Sequence, residues 1–149
     1  MKNTANKFYH YTSIERLEEI ITSQEIRQAT AFVAKKEKPI AWVSSNQTWE
    51  NTATKSYLSE GIIYPLTFAQ QQVTCGCARI EVSSKGLHTW GKLKHIAKIK
   101  PDTVSRLEVV GLMKGSKPSE WFGSLVPIKW RTGLKLKFTR MVSGSEINV

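Results

Sequence analysis

The sequence predicts an α+β fold. Three observations carry that expectation. Apolar runs of strand length recur along the chain, segments of helical period fall between them in no strict alternation, and no internal repeat or low-complexity linker divides the 149 residues. Strands and helices mixed in this way favour a largely antiparallel or mixed sheet with flanking helices over a doubly wound parallel one. One domain, residues 1–149, is the default at this length, and such a chain can bury most of the surface it exposes when unfolded. Hydrophobic and charged contents of 40% and 23% are globular values.

Residues 8–11, Phe-Tyr-His-Tyr, read as the first strand. Thr12 and Glu15 then stand at capping-box spacing, hydroxyl and carboxylate each placed to satisfy an orphan amide. Ile14, Leu17, Ile20 and Ile21 recur at helical period, so a helix should run to about Ser23. Pro39 precedes an apolar run, residues 40–44, suited to a buried strand. Residues 45–48 form a turn, and residues 49–58 are expected to make a short helix closed by Gly61. Residues 73–82 read as a strand in which Gly76 marks a bulge or a close backbone approach. Trp90, Leu93, Ile96 and Ala97 fit one or two helical turns. Asp102 is expected to cap a helix through Val104, Leu107 and Val110 that ends near Gly115. Residues 121–130 and 134–142 read as closing strands, the second with Leu134, Leu136 and Phe138 on one face and Lys135, Lys137 and Thr139 on the other. Glu146 falls in a Gly/Ser tail expected to be mobile.

Cys75 and Cys77 are the only cysteines. Two apart in a strand they make a poor disulfide, and with His88 and His95 they match no common structural zinc spacing, so both are expected as reduced, buried thiols. No apolar run approaches the roughly 20 residues that cross a bilayer. Met1 to Asn6 is polar and lacks the apolar core of a signal peptide, so a cytoplasmic location and no membrane partner are expected. The net charge is +10. It is spread over Lys35-Lys36-Glu37-Lys38, then Lys92, Lys94, Lys98 and Lys100, then Lys129, Arg131, Lys135, Lys137 and Arg140. A balance this basic favours anionic partners, whether DNA, RNA, a nucleotide or an acidic protein, or else reflects solvated faces.

His10-Tyr11-Thr12 concentrates the chemistry. An imidazole and a hydroxyl stand two positions apart where a strand gives way to a helix, and imidazole can hydrogen-bond a hydroxyl through either nitrogen. His10-x-Thr12 followed by the helix Ser13-Ile14-Glu15-Arg16-Leu17-Glu18-Glu19-Ile20-Ile21 resembles the opening of ADP-ribosyltransferase-fold proteins, in particular the DNA-targeting ADP-ribosyltransferase toxins and the RNA 2′-phosphotransferases. The segment from Trp42 through Ser44, Ser45, Trp49 and Glu50 to Ala53 is similar to the strand and Ser-rich turn that line the same pocket, and to a group of uncharacterised bacterial and mobile-element proteins. The likeness covers about the first third of the chain.

The resemblance implies an ADP-ribosyltransferase-like fold with NAD as the ligand and substrate. His10 would contact a ribose, the Tyr11 backbone would hold the nicotinamide amide, and Thr12 would support His10 or cap the helix. Tyr11 stands where the family often has Gly. Ser44 or Ser45 would hold a carboxylate or the ribose, or serve only the turn. Trp49 would stack on a base or belong to the core. Arg79 would bind phosphate bidentately or make a structural pair with Glu81 or another neighbour. The implied reaction loses nicotinamide through an oxocarbenium-like centre that a carboxylate stabilises. Glu120, opening a late strand, and Glu50, following the turn, are the two candidates for that carboxylate. Three readings follow: a transferase acting on nucleic acid or protein as a toxin or defence factor, a non-catalytic nucleotide- or nucleic-acid-binding module of the same fold, and a basic protein working through a protein interface. A 2′-phosphorylated RNA end is the alternative ligand to NAD.

Overall fold

A computed structural model describes residues 6–130, 138–142 and 145–148. The chain is α+β, with antiparallel strands and four α-helices among the described residues. In order, the first half holds β1 (Phe8–Thr12), α1 (Ile14–Ser23), β2 (Glu25–Ile26), β3 (Ala41–Ser44), β4 (Ser56–Ser59), β5 (Ile62–Pro65) and α2 (Phe68–Thr74). The second half holds β6 (Cys77–Val82), β7 (His88–Thr89), α3 (Trp90–Ile96), α4 (Pro101–Met113), β8 (Trp121–Ser124), β9 (Ile128–Lys129), β10 (Phe138–Val142) and β11 (Ser145–Asn148).

Seven strands form the main sheet in the order β11-β10-β6-β1-β3-β8-β7. The first strand in the chain thus lies at the centre. Its two edges differ. Against β6 it pairs along its whole length, from Phe8 opposite Val82 to Thr12 opposite Ala78. Against β3 it pairs only at Tyr9 opposite Ser44. β3 in turn pairs fully with β8, from Ala41 opposite Ser124 to Ser44 opposite Trp121. The sheet is therefore two ribbons meeting at one residue pair. Smaller antiparallel pairs join β2 to β9 and β4 to β5.

Strand alternation sorts β1 between two cores. Phe8 joins Ala41, Val43, Ala78, Ile80 and Val82 beneath α1, whose Leu17 is buried there. Tyr9 and Tyr11 face the opposite way, into a cluster with Trp49 and Cys77. A third core packs Trp90, Leu93 and Ala97 around α3 against Ile40 and Trp121. Gly76 shows the close approach expected of it. Its φ is +75°, and a Cβ there would collide with the Ile14 side chain.

Several boundaries differ from the sequence expectation. Ser13, not Thr12, caps α1, its hydroxyl accepting from Arg16 N at 3.3 Å; Thr12 is the last residue of β1. Residues 49–58 do not form one helix. A single 3-10 turn, Asn51–Ala53, gives way to the β4–β5 hairpin, because Tyr57, Ile62, Ile63 and Tyr64 prefer strands and Glu60-Gly61 supplies two positive φ values, +49° and +78°. The strand expected over 73–82 begins only at Cys77, because Thr67 and Gln70 form a full capping box that starts α2. Cys75 caps the end of that helix, so the two free cysteines are not strand neighbours, and Cys75 is half-buried where Cys77 is buried. Lys100 stands at the N-cap of α4, with Pro101 at N1 and Asp102 in the first turn. The run 121–130 breaks into β8 and β9 around Pro127, which has no amide to donate. Glu146 lies in β11, opposite Met141, rather than in a mobile tail. Residues 134–137 of the last expected strand lie outside the described residues.

Candidate functional site

Where β1 and β3 part company, the chain leaves a cleft of about 930 Å³. His10 and Thr12 line it from β1, Ile40 and Trp42 from β3 and its approach, Arg16 and Ile20 from α1, and Lys55 from the loop before β4. Residues 25–31 supply the remaining wall. That wall is anchored: Ala29 N donates to Ile40 O at 2.8 Å, and Gln28 Nε2 donates to Leu125 O at 2.9 Å. The volume is in the range of small-molecule sites.

His10 bridges the gap between the two ribbons. Its Nδ1 lies 2.7 Å from Trp42 O. A carbonyl only accepts, so Nδ1 carries the proton and Nε2 is left as an acceptor. Burial, with the nearby Lys55 ammonium adding to it against the opposing Trp42 hydrogen bond, lowers the His10 pKa to about 4. The ring is therefore neutral at pH 7 and presents a lone pair to a donor such as a hydroxyl. Thr12, on the same face two residues along, is buried and also lines the cleft.

The remaining residues singled out by the sequence lie elsewhere. Tyr11 points into the opposite core, where its hydroxyl donates to Asn46 O, and burial raises its pKa to about 12. Trp49 packs edge-on against Tyr11 at 5.0 Å and donates from Nε1 to Thr54 Oγ1, so its indole belongs to that core. Arg79 is buried on the same side. Its guanidinium sits 4.1 Å from the centre of the Tyr9 ring and donates to Gln47 O at 2.6 Å, pinning the 45–49 turn across the sheet. Ser45 donates its backbone N–H to Glu120 O at 2.9 Å and accepts from Gln47 at its own carbonyl.

Ser44 and Glu50 form a buried knot. The Ser44 hydroxyl donates to Glu50 Oε1 at 2.9 Å, while Glu50 Oε2 accepts from Thr52 Oγ1 at 2.6 Å, from Thr52 N at 3.2 Å and from Ser116 Oγ. The carboxylate thus accepts four hydrogen bonds, three of them at Oε2. Glu120 is held far less. Its Oε1 meets Asn46 Nδ2 at 3.4 Å, the one side-chain contact it makes among the described residues. Neither carboxylate lines the cleft.

Sequence reasoning passed over Arg16 and Lys55 as site residues. Arg16 was legible as a cation one turn into the helix that follows His10. Lys55 was not, because its position depends on a hairpin that the sequence was expected to form as helix. Its backbone is fixed on both sides: Lys55 N donates to the buried Gln71 Oε1 at 2.7 Å, and Leu66 N donates to Lys55 O at 2.9 Å.

Comparison with known proteins finds no family, no curated protein and no solved structure that matches this chain. Among the described residues, no helix is long and apolar enough to cross a membrane.

Proposed function

We propose that the chain binds a ribonucleotide, with NAD the leading candidate, in the cleft beside His10. One observation carries this reading: the imidazole is fixed as the tautomer whose free Nε2 accepts, inside a cavity of dinucleotide size. A ribose diol is the matching donor. The His-x-Thr likeness to ADP-ribosyltransferase-fold proteins points to the same ligand, and the net charge of +10 suits an anionic one. Thr12 Oγ1 adds a second polar group on the same wall. Binding is favoured over catalysis because the cleft wall contains neither Glu50 nor Glu120.

Glu120 favours the second reading, ADP-ribosyl transfer to a nucleic-acid or protein acceptor. It immediately precedes β8, beside the Ser44–Ser45 turn, and its carboxylate keeps most of its acceptor capacity. Glu50 has spent its own. Titrating the protein with NAD, with and without DNA or RNA, while measuring bound ligand and free nicotinamide separates the two. Saturable binding with no nicotinamide release supports the binding module. Release that Glu120→Gln abolishes while NAD still binds supports the transferase. No binding of any nucleotide sinks both.

A further inference from the structure

The cleft holds a half-buried cation that has no ion pair among the described residues. Arg16 has a partner, since its Nη1 lies 2.9 Å from Glu19 Oε2, but both side chains are about two-thirds exposed, so the pair is a weak one that solvent screens. Arg27 on the opposite wall is likewise engaged with Glu25 at 2.7 Å. Lys55 is different. It is half-buried and has no ion pair among the described residues, and the strongest charge acting on it is another cation, Arg16, which Cys75 opposes more weakly. Burial and that repulsion both push its pKa down. An ammonium taken from water without a counter-charge is costly, and chains avoid it unless something else supplies the charge.

The location of Lys55 is not accidental to the fold. Gln71, fully buried, spends its side-chain carbonyl on Lys55 N and its amide on Gly76 O, so a core residue sets the loop from which the ammonium enters the cleft. The acidic groups of the cavity, Glu18, Glu19 and Glu25, come from α1 and the wall that follows it. Glu19 and Glu25 are committed to Arg16 and Arg27, and Glu18, on α1, forms no ion pair with Lys55.

We infer that Lys55 and Arg16 form an anion subsite that takes a phosphate of the cleft's ligand, next to the hydroxyl-accepting Nε2 of His10. This deepens the nucleotide-binding reading and rests on it for the ribose contact. The chemistry required is a phosphate on or near a ribose. It is met by the pyrophosphate of a free dinucleotide and by the phosphorylated end of an RNA. Lys55 supplies a point charge and Arg16 a planar fork, free to exchange Glu19 for the phosphate.

Calorimetric titration of the full chain tests this with three probes: inorganic pyrophosphate, ADP-ribose, and nicotinamide riboside, which has the diol but no phosphate. Lys55→Met should weaken ADP-ribose and pyrophosphate at least tenfold, leave nicotinamide riboside unchanged, and melt no lower than the parent because it removes a half-buried charge with no ion pair among the described residues. Lys55→Arg should recover most of the ADP-ribose affinity. Unchanged ADP-ribose and pyrophosphate affinities in Lys55→Met would overturn the subsite while leaving the ribose reading intact. Equal loss of all three probes, or a lower melting temperature, would also overturn it, since Lys55 would then act through the fold. Lys55-dependent pyrophosphate binding with no response to nicotinamide riboside would keep the subsite and discard the ribose contact. No binding of pyrophosphate or ADP-ribose to the parent would sink it outright. A short RNA ending in a 2′-phosphate, run in competition, assigns the source: displacement of ADP-ribose at lower concentration points to an RNA end, and failure to displace it points to a free dinucleotide.

Discussion

The two polar regions flanking β3 use similar side chains to opposite ends. Around Glu50, two serine hydroxyls, a threonine hydroxyl and a backbone amide converge on one buried carboxylate. The group is buried and lies off the cleft. Around His10, one nitrogen is spent on Trp42 O and the other has no hydrogen bond among the described residues, while Lys55 has no ion pair among them. A polar cluster that satisfies itself holds a fold together, and one that does not is available for binding. Residue type alone does not distinguish the two. The accounting of donors and acceptors does.

The largest test of that contrast is Glu50→Ala. It strands buried hydroxyls and a backbone amide, so urea unfolding should show a loss of about 3–5 kcal/mol, with ligand binding by the folded fraction unchanged. A loss under about 1 kcal/mol would mean the knot is not structural. The second test uses pH. In the fold His10 stays neutral down to about pH 4, whereas in the unfolded chain it takes up a proton near 6.5. Its contribution to stability is thus whole above pH 6.5, is lost progressively as pH falls towards 4, and levels off below; the total is roughly 3 kcal/mol. His10→Gln should flatten the stability profile across that window, and an unaltered slope would show that the ring is not protected in this way.

The third test compares stability with affinity at one residue. His10→Ala removes a single hydrogen bond to Trp42 and should cost about 1 kcal/mol of stability, yet weaken NAD about 10- to 100-fold. Full-strength NAD binding by this variant would remove the cleft from consideration. The smallest effect is expected at Ser44→Ala. It deletes one of four donors to Glu50 and the acceptor of Asn46 N, and should cost about 1 kcal/mol with no change in any binding curve. A binding defect there would merge two regions that the geometry keeps apart.

Much of the frame was legible in the residues. The strand–helix junction at His10, the helical stripe of Ile14, Leu17 and Ile20, the buried strand after Pro39 and the helix around Trp90 and Leu93 follow from period and punctuation. The helix expected over residues 49–58 gave way to a hairpin because a β-branched and aromatic run, Tyr57, Ile62, Ile63 and Tyr64, flanks Glu60-Gly61. The Thr67–Gln70 capping box was present in the sequence and would have placed α2 correctly. The cleft was legible at His10 and Thr12, which strand alternation places on one face and which both line it. It was not legible at Tyr11, Trp49 and Arg79, because the pattern names residues near a pocket without saying which side of the sheet each faces. Lys55 required knowledge of contacts from Gln71 and Leu66 that are distant in sequence.

The single Tyr9–Ser44 pairing between the ribbons has a consequence for how the molecule comes apart. Backbone pairing across this seam is short, so β6–β1 and β3–β8 are coupled mainly through the apolar core they share beneath α1, and amide protection should differ between them. Deuterium labelling of the amides would then divide the sheet into two protection classes, with the border running through the imidazole that ties them together. Any occupant contacting that ring would raise protection on both sides at once.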